Sequence, residues 1–313
     1  MKSIIDLIKG LLIGVANIIP GISGGTFALI LGIYERLINA IGNLNGEFLK
    51  ELLSGKIFPA FKKIDFWFLL RIFIGAVISI VLLSKVIEYF LEMQHDPTYA
   101  FFVGLIIPSI AVPWAMMQRR KVPELFWFLA GLLFLLGLSI GFGHLSDLKM
   151  EMKAVAATVS IAYLHSPAQL LYAVFCGALA ISAMILPGIS GSFVLLLLGQ
   201  YKNMVHAINE RDLIFVGALG IGTVLGALFF TRLLKLTLKK YHSQTIAFLI
   251  GLMVASLYTL WPFKEIIVKE GQILYTSRNI LPEINNNLWV SALSFAAGIA
   301  LVSVFLIIEK KKK

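Results

Sequence analysis

The chain has 313 residues, of which 59% are hydrophobic and 14% charged, with a formal net charge of +10 and a mean hydropathy of +0.90. Soluble domains carry about 25% charged residues, so this composition excludes an ordinary water-soluble fold. Nucleic acid is also excluded as the reason for the basic excess. The cations gather at the ends of apolar runs, as in Arg119-Arg120-Lys121 and Lys310 to Lys313, which is the pattern of topology-setting charge beside anionic headgroups. The single cysteine, Cys176, allows no intrachain disulfide, and the five histidines are scattered with no His-x-x-x-His pair. No metal site and no cofactor are expected.

In chain order, residues 4–41 form a first apolar stretch with a Pro-Gly-Ile-Ser-Gly block near its middle. Lys2 followed by apolar residues looks like a leader, but no small-residue cleavage pattern follows. The same stretch recurs near residue 177, so it is expected to belong to the fold. Residues 42–63 are polar and rich in Lys and Glu; residues 66–83 and 124–143 are apolar runs, and 288–308 is the last. Each is long enough, or nearly so, for a hydrocarbon core of roughly 30 Å.

The apolar elements repeat. Residues 10–41 and 177–208 align without a gap, and 15 of the 32 pairs are identical, among them Pro20/Pro187, Ser23/Ser190, Gly24/Gly191, Gly32/Gly199 and Tyr34/Tyr201. Downstream the match continues at a shorter offset, through Asp65/Asp212, Gly75/Gly222, His95/His242 and Gly104/Gly251. Such self-similarity marks a duplicated unit. The expected organisation is a single transmembrane transporter domain over residues 1–313. Repeat one covers about 1–143, a connector about 144–167 and repeat two about 168–313.

The geometry of the first element sets the architecture. As one helix, residues 4–41 would extend about 57 Å at 1.5 Å per residue, nearly twice the hydrocarbon thickness. The Pro-Gly block interrupts it, so a re-entrant helical hairpin is expected. With a cytoplasmic N-terminus and two such hairpins, the cytoplasmic segments 1–9, 42–63, 118–123, 232–242 and 309–313 hold 17 of the 27 Lys and Arg, and the outside segments hold seven. The positive-inside rule favours that arrangement. Each repeat then crosses three times, so the second is inverted relative to the first, as in many secondary transporters. The expected fold is an all-α polytopic membrane protein of two inverted repeats, each a re-entrant hairpin plus three transmembrane helices, with both termini cytoplasmic.

Non-helical backbone inside a bilayer must line protein or a watery cavity, so the two tips are candidate transport sites. A helix follows each tip at once, and Ser23 and Ser190 are natural N-caps. Gly24, Gly25 and Thr26, with Gly191 and Ser192, offer two nests of N–H donors suited to a phosphate or carboxylate. The same glycines also suit a tight turn and close helix packing with no ligand. A nucleotide P-loop is excluded, because no Gly-Lys-Ser/Thr follows. Asn17, one turn before the first tip, is placed in the site. Arg71, inside an apolar run and matched by Ala218, either binds the phosphate bidentately or snorkels to the interface. Glu35 and Arg36 read as a local ion pair or headgroup contact, Asp65 and Asp212 as N-caps, and His95 and His242 as loop residues.

At Gly14-x-x-Asn17-x-x-Pro20-Gly21-Ile22-Ser23-Gly24-Gly25-Thr26, Gly32-x-Tyr34-Glu35 and Pro187-Gly188-Ile189-Ser190-Gly191-Ser192 the sequence resembles the bacterial polyprenyl-phosphate transporters of the PopT type. The resemblance covers essentially the whole chain. It implies a flippase of the bacterial cytoplasmic membrane that returns undecaprenyl phosphate from the outer to the inner leaflet for reuse in cell-wall synthesis. Its implied partners are that lipid and the membrane. Residues and spacing alone leave two other classes open: a secondary transporter of a small soluble anion, and a membrane-embedded lipid phosphatase. The phosphatase lacks a His or carboxylate base close in sequence to either tip serine.

Overall fold

A computed structural model describes residues 2–19, 22–118, 121–151, 165–269 and 272–311. Pro20 and Gly21 of the first motif, and Arg119 and Arg120, lie outside the described residues. The chain divides into two compact units, residues 1–81 with 152–242 and residues 82–151 with 243–313. Each unit therefore draws on both repeats.

The first unit is built from two helical hairpins. In the first, α1 (Lys2–Ile18) runs to the tip, and α2 (Gly24–Ile30) and α3 (Tyr34–Gly42) return. Three bonds trace the return. Gly24 N donates to Asn17 Oδ1 at 2.9 Å, Lys9 Nζ donates to Leu31 O at 2.7 Å, and Arg36 Nη1 lies 3.4 Å from Asp6 Oδ1. The second hairpin repeats this with α10 (Pro167–Ile185), α11 (Gly191–Leu197) and α12 (Tyr201–Asn209), and Tyr172 OH donates to Leu198 O at 2.9 Å. Each returning limb breaks at the same matched glycine, Gly32 (φ 64°) or Gly199 (φ 72°). The left-handed residue ends a helix in a Schellman turn: Ile33 N bonds Ala28 O, and Gln200 N bonds Leu195 O.

Each hairpin lies against a long helix, α6 (Phe66–Met93) or α13 (Leu213–Lys240). A Cβ added at Gly10 would collide with Ile72 O and one at Gly75 with Leu7 O. At the matched positions, Gly177 faces Leu219 O and Gly222 faces Val174 O. The duplicated glycines thus bring backbone against backbone in both copies. The contacts Asp6–Arg71 and Gly14–Ser79 advance together along the two helices, so α1 and α6 run in the same direction and begin at the same level.

Between α3 and α6 the first copy adds α4 (Gly46–Leu53) and α5 (Ile57–Lys63), where the composition indicated only a polar stretch. Asp212 caps α13 as expected, accepting from Ile214 N and Phe215 N at 3.1 Å. Asp65 instead takes a left-handed conformation (φ 49°) and binds Arg36 Nε at 2.7 Å.

The second unit contains α7 (His95–Ser109), α8 (Ala111–Met116), α9 (Val122–Glu151), α14 (His242–Thr259, from Ser243 on) and α15 (Asn286–Lys311), with the end of α6. Here the repeats exchange partners. Gly104 of α7 meets Phe295 of α15, and its matched residue Gly251 of α14 meets Phe128 of α9. Gly298 likewise meets Phe101, and Gly131 meets Phe248. Contacts advance together in each pair, through Asp96–Asn287 in one and Gln118–Ser243 and Ser139–Thr259 in the other. Helix α7 therefore runs parallel to α15, and α9 parallel to α14. His95 and His242 are not loop residues: each opens a helix and pairs with a carboxylate at 2.8 Å, Asp96 and Glu35 respectively.

One feature departs from an all-α chain. Strands β1 (Lys264–Lys269) and β2 (Gln272–Asn279) form an antiparallel hairpin. Their Ile-Ile-Val and Ile-Leu-Tyr-Thr runs suit a pleated strand, and they lie in a polar connection where strand pairing satisfies the backbone.

Among the described residues, six helices are long and apolar enough to cross a membrane: α6, α7 with α8, α9, α10, α13 and α15. The protein is a multi-pass membrane protein. The set differs in one member from the spans expected from sequence. It includes α10, the 19-residue limb of the second hairpin, and omits α14, whose polar His242-Ser-Gln-Thr opening lowers its hydropathy.

Candidate functional site

The described part of the first motif, Ile22 to Gly24, and the second motif, Pro187 to Gly191, sit at the tips of the two hairpins of the first unit, and the tips touch. Ser23 is extended (φ −119°, ψ 152°) and caps α2, its Oγ accepting from Thr26 N at 3.2 Å. The same hydroxyl donates across to Leu186 O at 2.9 Å. In return, Gly188 N donates to Thr26 Oγ1 at 2.9 Å. A third link comes from Tyr34 OH, which donates to Ile185 O at 3.3 Å. Ser23, Thr26 and Tyr34 are each 1% exposed, so these bonds form away from water, where an unpaired partner is costly.

The chain reaches this geometry locally. Pro187-Gly188 ends α10 in a turn, with Gly188 at φ 83°, and that turn points the Gly188 N–H at the other tip. Gly25 has no room for a side chain, because a Cβ there would collide with Ile185 O. Gly24 N is engaged by Asn17 Oδ1. The first tip is therefore closed around its own donors and its partner. The second tip is more open. Ser190 makes no capping bond and shares a 2.7 Å bond with the Ser192 hydroxyl; Ser190 and Gly191 are half-buried, and Ser192 is exposed.

The structure thus gathers Asn17, Ser23, Gly24, Gly25 and Thr26 on one tip, paired with the tip that carries Ser190, Gly191 and Ser192. It does not bring Arg71 there. Arg71 Nη1 lies 3.5 Å from Asp6 Oδ2, level with the start of α1, and Asp6 precedes Asn17 by about 16 Å of helical rise. At this base Asp6 is buried and shared between Arg71 and Arg36, and Arg36 also binds Asp65 and stacks on the Phe68 ring at 3.9 Å. Sequence reasoning missed Asp6 and Tyr34. The signal for Asp6 was present: it is an acid in an apolar limb, with an arginine in the next long run.

The base of the second hairpin is wired differently. His165 Nε2 lies 2.8 Å from Asp212 Oδ1. Burial of Asp212 opposes its ionisation, but the His165 bond and the two N–H groups of α13 outweigh it and hold the carboxyl below its ordinary value. Among the described residues there is no group of three or more metal-ligating side chains.

The profile of the undecaprenyl phosphate translocase-like family matches residues 13–273. A polyprenyl-phosphate transporter of Vibrio cholerae is 35% identical over 265 residues, which is 85% of this chain and 80% of that protein. A polyprenyl-phosphate transporter of Staphylococcus aureus is 30% identical over 270 residues, 82% of this chain and 86% of that protein. No solved structure matches. The matched span contains both hairpin tips and both long helices that carry them, and on that ground the chain belongs to the undecaprenyl phosphate translocase-like family.

Proposed function

We propose that this protein moves undecaprenyl phosphate from the outer to the inner leaflet of the bacterial cytoplasmic membrane, handling the phosphate at the paired tips while the isoprenoid tail stays in lipid. The observation that carries the reading is the reciprocal pair of bonds between the duplicated motifs, Ser23 Oγ to Leu186 O and Gly188 N to Thr26 Oγ1. In both, a donor at one tip is aimed at a neutral oxygen at the other. A phosphate entering between the tips gives those donors a charged acceptor, and such bonds are roughly twice as strong as neutral ones. The tips then exchange each other for the ligand. The open second tip, with Ser190, Gly191 and Ser192, is the side from which a headgroup enters. The fit to a lipid phosphate comes from the family, in which relatives bear the name polyprenyl-phosphate transporter.

The same reading makes the hairpins re-entrant and the repeats inverted. Helices α1 and α6 begin side by side although the chain has gone out and back between them, which favours a hairpin that leaves by the side it entered. A short connection joins α7 to α9, so they cross in opposite directions. Because α15 runs with α7 and α14 with α9, the second and third spans of repeat two run opposite to those of repeat one. We place both termini in the cytoplasm on the distribution of Lys and Arg. The reading is of a transporter without a catalytic step.

The direct test is reconstitution into liposomes carrying undecaprenyl phosphate, with its leaflet distribution read by an impermeant phosphatase. The wild-type protein is expected to expose lipid from both leaflets. Ser23→Ala is expected to slow this at least several-fold while the protein stays folded. An unchanged leaflet distribution with folded wild-type protein overturns the proposal, and uptake of labelled inorganic phosphate in its place redirects it to a soluble anion.

A further inference from the structure

The first copy carries residues 43–65 between α3 and α6, whereas the second needs only 210–212 between α12 and α13. The extra chain forms α4 and α5, a pair of short helices. Ring contacts join the pair to itself and to the start of α6, with Phe48 against Phe61 at 6.4 Å and Phe61 against Phe66 at 4.6 Å. The pair has almost no core: α4 buries no residue, and α5 buries only Ala60. Four of its large apolar side chains face outward instead, with Leu53 80% and Phe58 77% exposed and Leu49 and Ile57 more than half exposed.

The charges are sorted as well. Both acids, Glu47 and Glu51, are bound by Lys63, at 2.8 and 3.4 Å. That leaves Lys50, Lys56 and Lys62 exposed and without an acidic partner among the described residues. Exposed apolar side chains beside uncompensated lysines are the composition of an element lying in a membrane interface. The patch is continuous with a lipid-facing surface, since α6 begins three residues after α5 and exposes Trp67 and Phe73. Trp at that level matches the interfacial aromatic belt.

We propose that α4 and α5 lie in the headgroup layer of the leaflet at the base of the first hairpin and bind its anionic phospholipids. Leu49, Leu53, Ile57 and Phe58 enter the acyl boundary, and Lys50, Lys56 and Lys62 contact lipid phosphates. The inference needs only that α6 spans a bilayer, and it stands or falls apart from the transported substrate.

The test uses the full chain with Cys176→Ala and a nitroxide attached at Leu53→Cys or, separately, at Phe58→Cys. Vesicles are phosphatidylcholine with or without phosphatidylglycerol. The readout is the ratio of collision with oxygen to collision with a water-soluble nickel complex. The expected result is a lipid-like ratio with phosphatidylglycerol, shifting toward water when that lipid is omitted or when K50Q, K56Q and K62Q are combined. A water-like ratio at either label with phosphatidylglycerol present overturns the proposal. A lipid-like ratio that ignores both phosphatidylglycerol and the lysines overturns its anionic component.

Discussion

At the scale of single residues, the tips and the hairpin base obey different constraints. Gly25 is fixed by contact, because a Cβ there would collide with Ile185 O. Gly25→Ala is expected to cost about 1–3 kcal/mol of stability, the usual range for overpacking, and to lower the thermal midpoint in detergent. Gly217→Ala, at a helical glycine with open space around it, should not lower it; equal losses at the two sites would contradict the tip contact. At the base, Asp6 is served by two half-exposed arginines, Arg36 and Arg71. Either one alone still compensates the buried carboxylate, so Arg71→Ala should lose only about 1 kcal/mol, and Arg36→Ala more, because it also gives up Asp65 and the Phe68 ring. Removing both leaves a buried charge unpaired, which is far more costly. The double variant is therefore expected to lose more than the sum of the singles, and additive midpoints would show that Asp6 is not shared.

At the scale of elements, the two copies share a backbone plan but differ in how their ends are held. Gly32 and Gly199 break both returning limbs in the same way, and the Gly10–Gly75 and Gly177–Gly222 contacts seat both hairpins. The bases differ, because Asp65 pairs with Arg36 while Asp212 caps α13 and accepts from His165. Loss of that cap in Asp212→Ala is expected to cost about 1 kcal/mol at neutral pH. The folded-state pKa of Asp212 lies below its ordinary 3.8. Its contribution is therefore complete above that value and is lost as the pH falls through the folded-state value. Midpoints of wild type and Asp212→Ala should differ at pH 7 and converge in strong acid; a constant difference would remove the carboxylate from the explanation.

At the scale of the whole molecule, the proposed topology makes the polar segments the strongest test. Single cysteines introduced in residues 42–63 and 118–123, in a Cys176→Ala background, are expected to resist an impermeant thiol reagent in intact cells and to react after the membrane is opened. Cysteines in residues 202–212 should react at once. Reaction of the 42–63 set from outside would require the first hairpin to cross the bilayer, and the inverted arrangement would fail with it.

The membrane class, the duplication and the break in the first apolar stretch were legible in the sequence because each rests on something local. Composition sets the solvent, repeated Pro, Gly and Tyr at fixed spacing mark the copies, and a Pro-Gly pair interrupts a helix. The helix starts at Gly24 and Gly191 were legible for the same reason, as glycines that follow a serine. What lay beyond reach were partners distant in the chain. Nothing local says that Ser23 bonds Leu186 O, that Tyr34 reaches Ile185 O, or that Arg71 turns to Asp6 instead of to the tips. Nor does it say that the second and third helices of the two repeats exchange partners. Those pairings depend on where whole helices lie, and only the tertiary structure decided them.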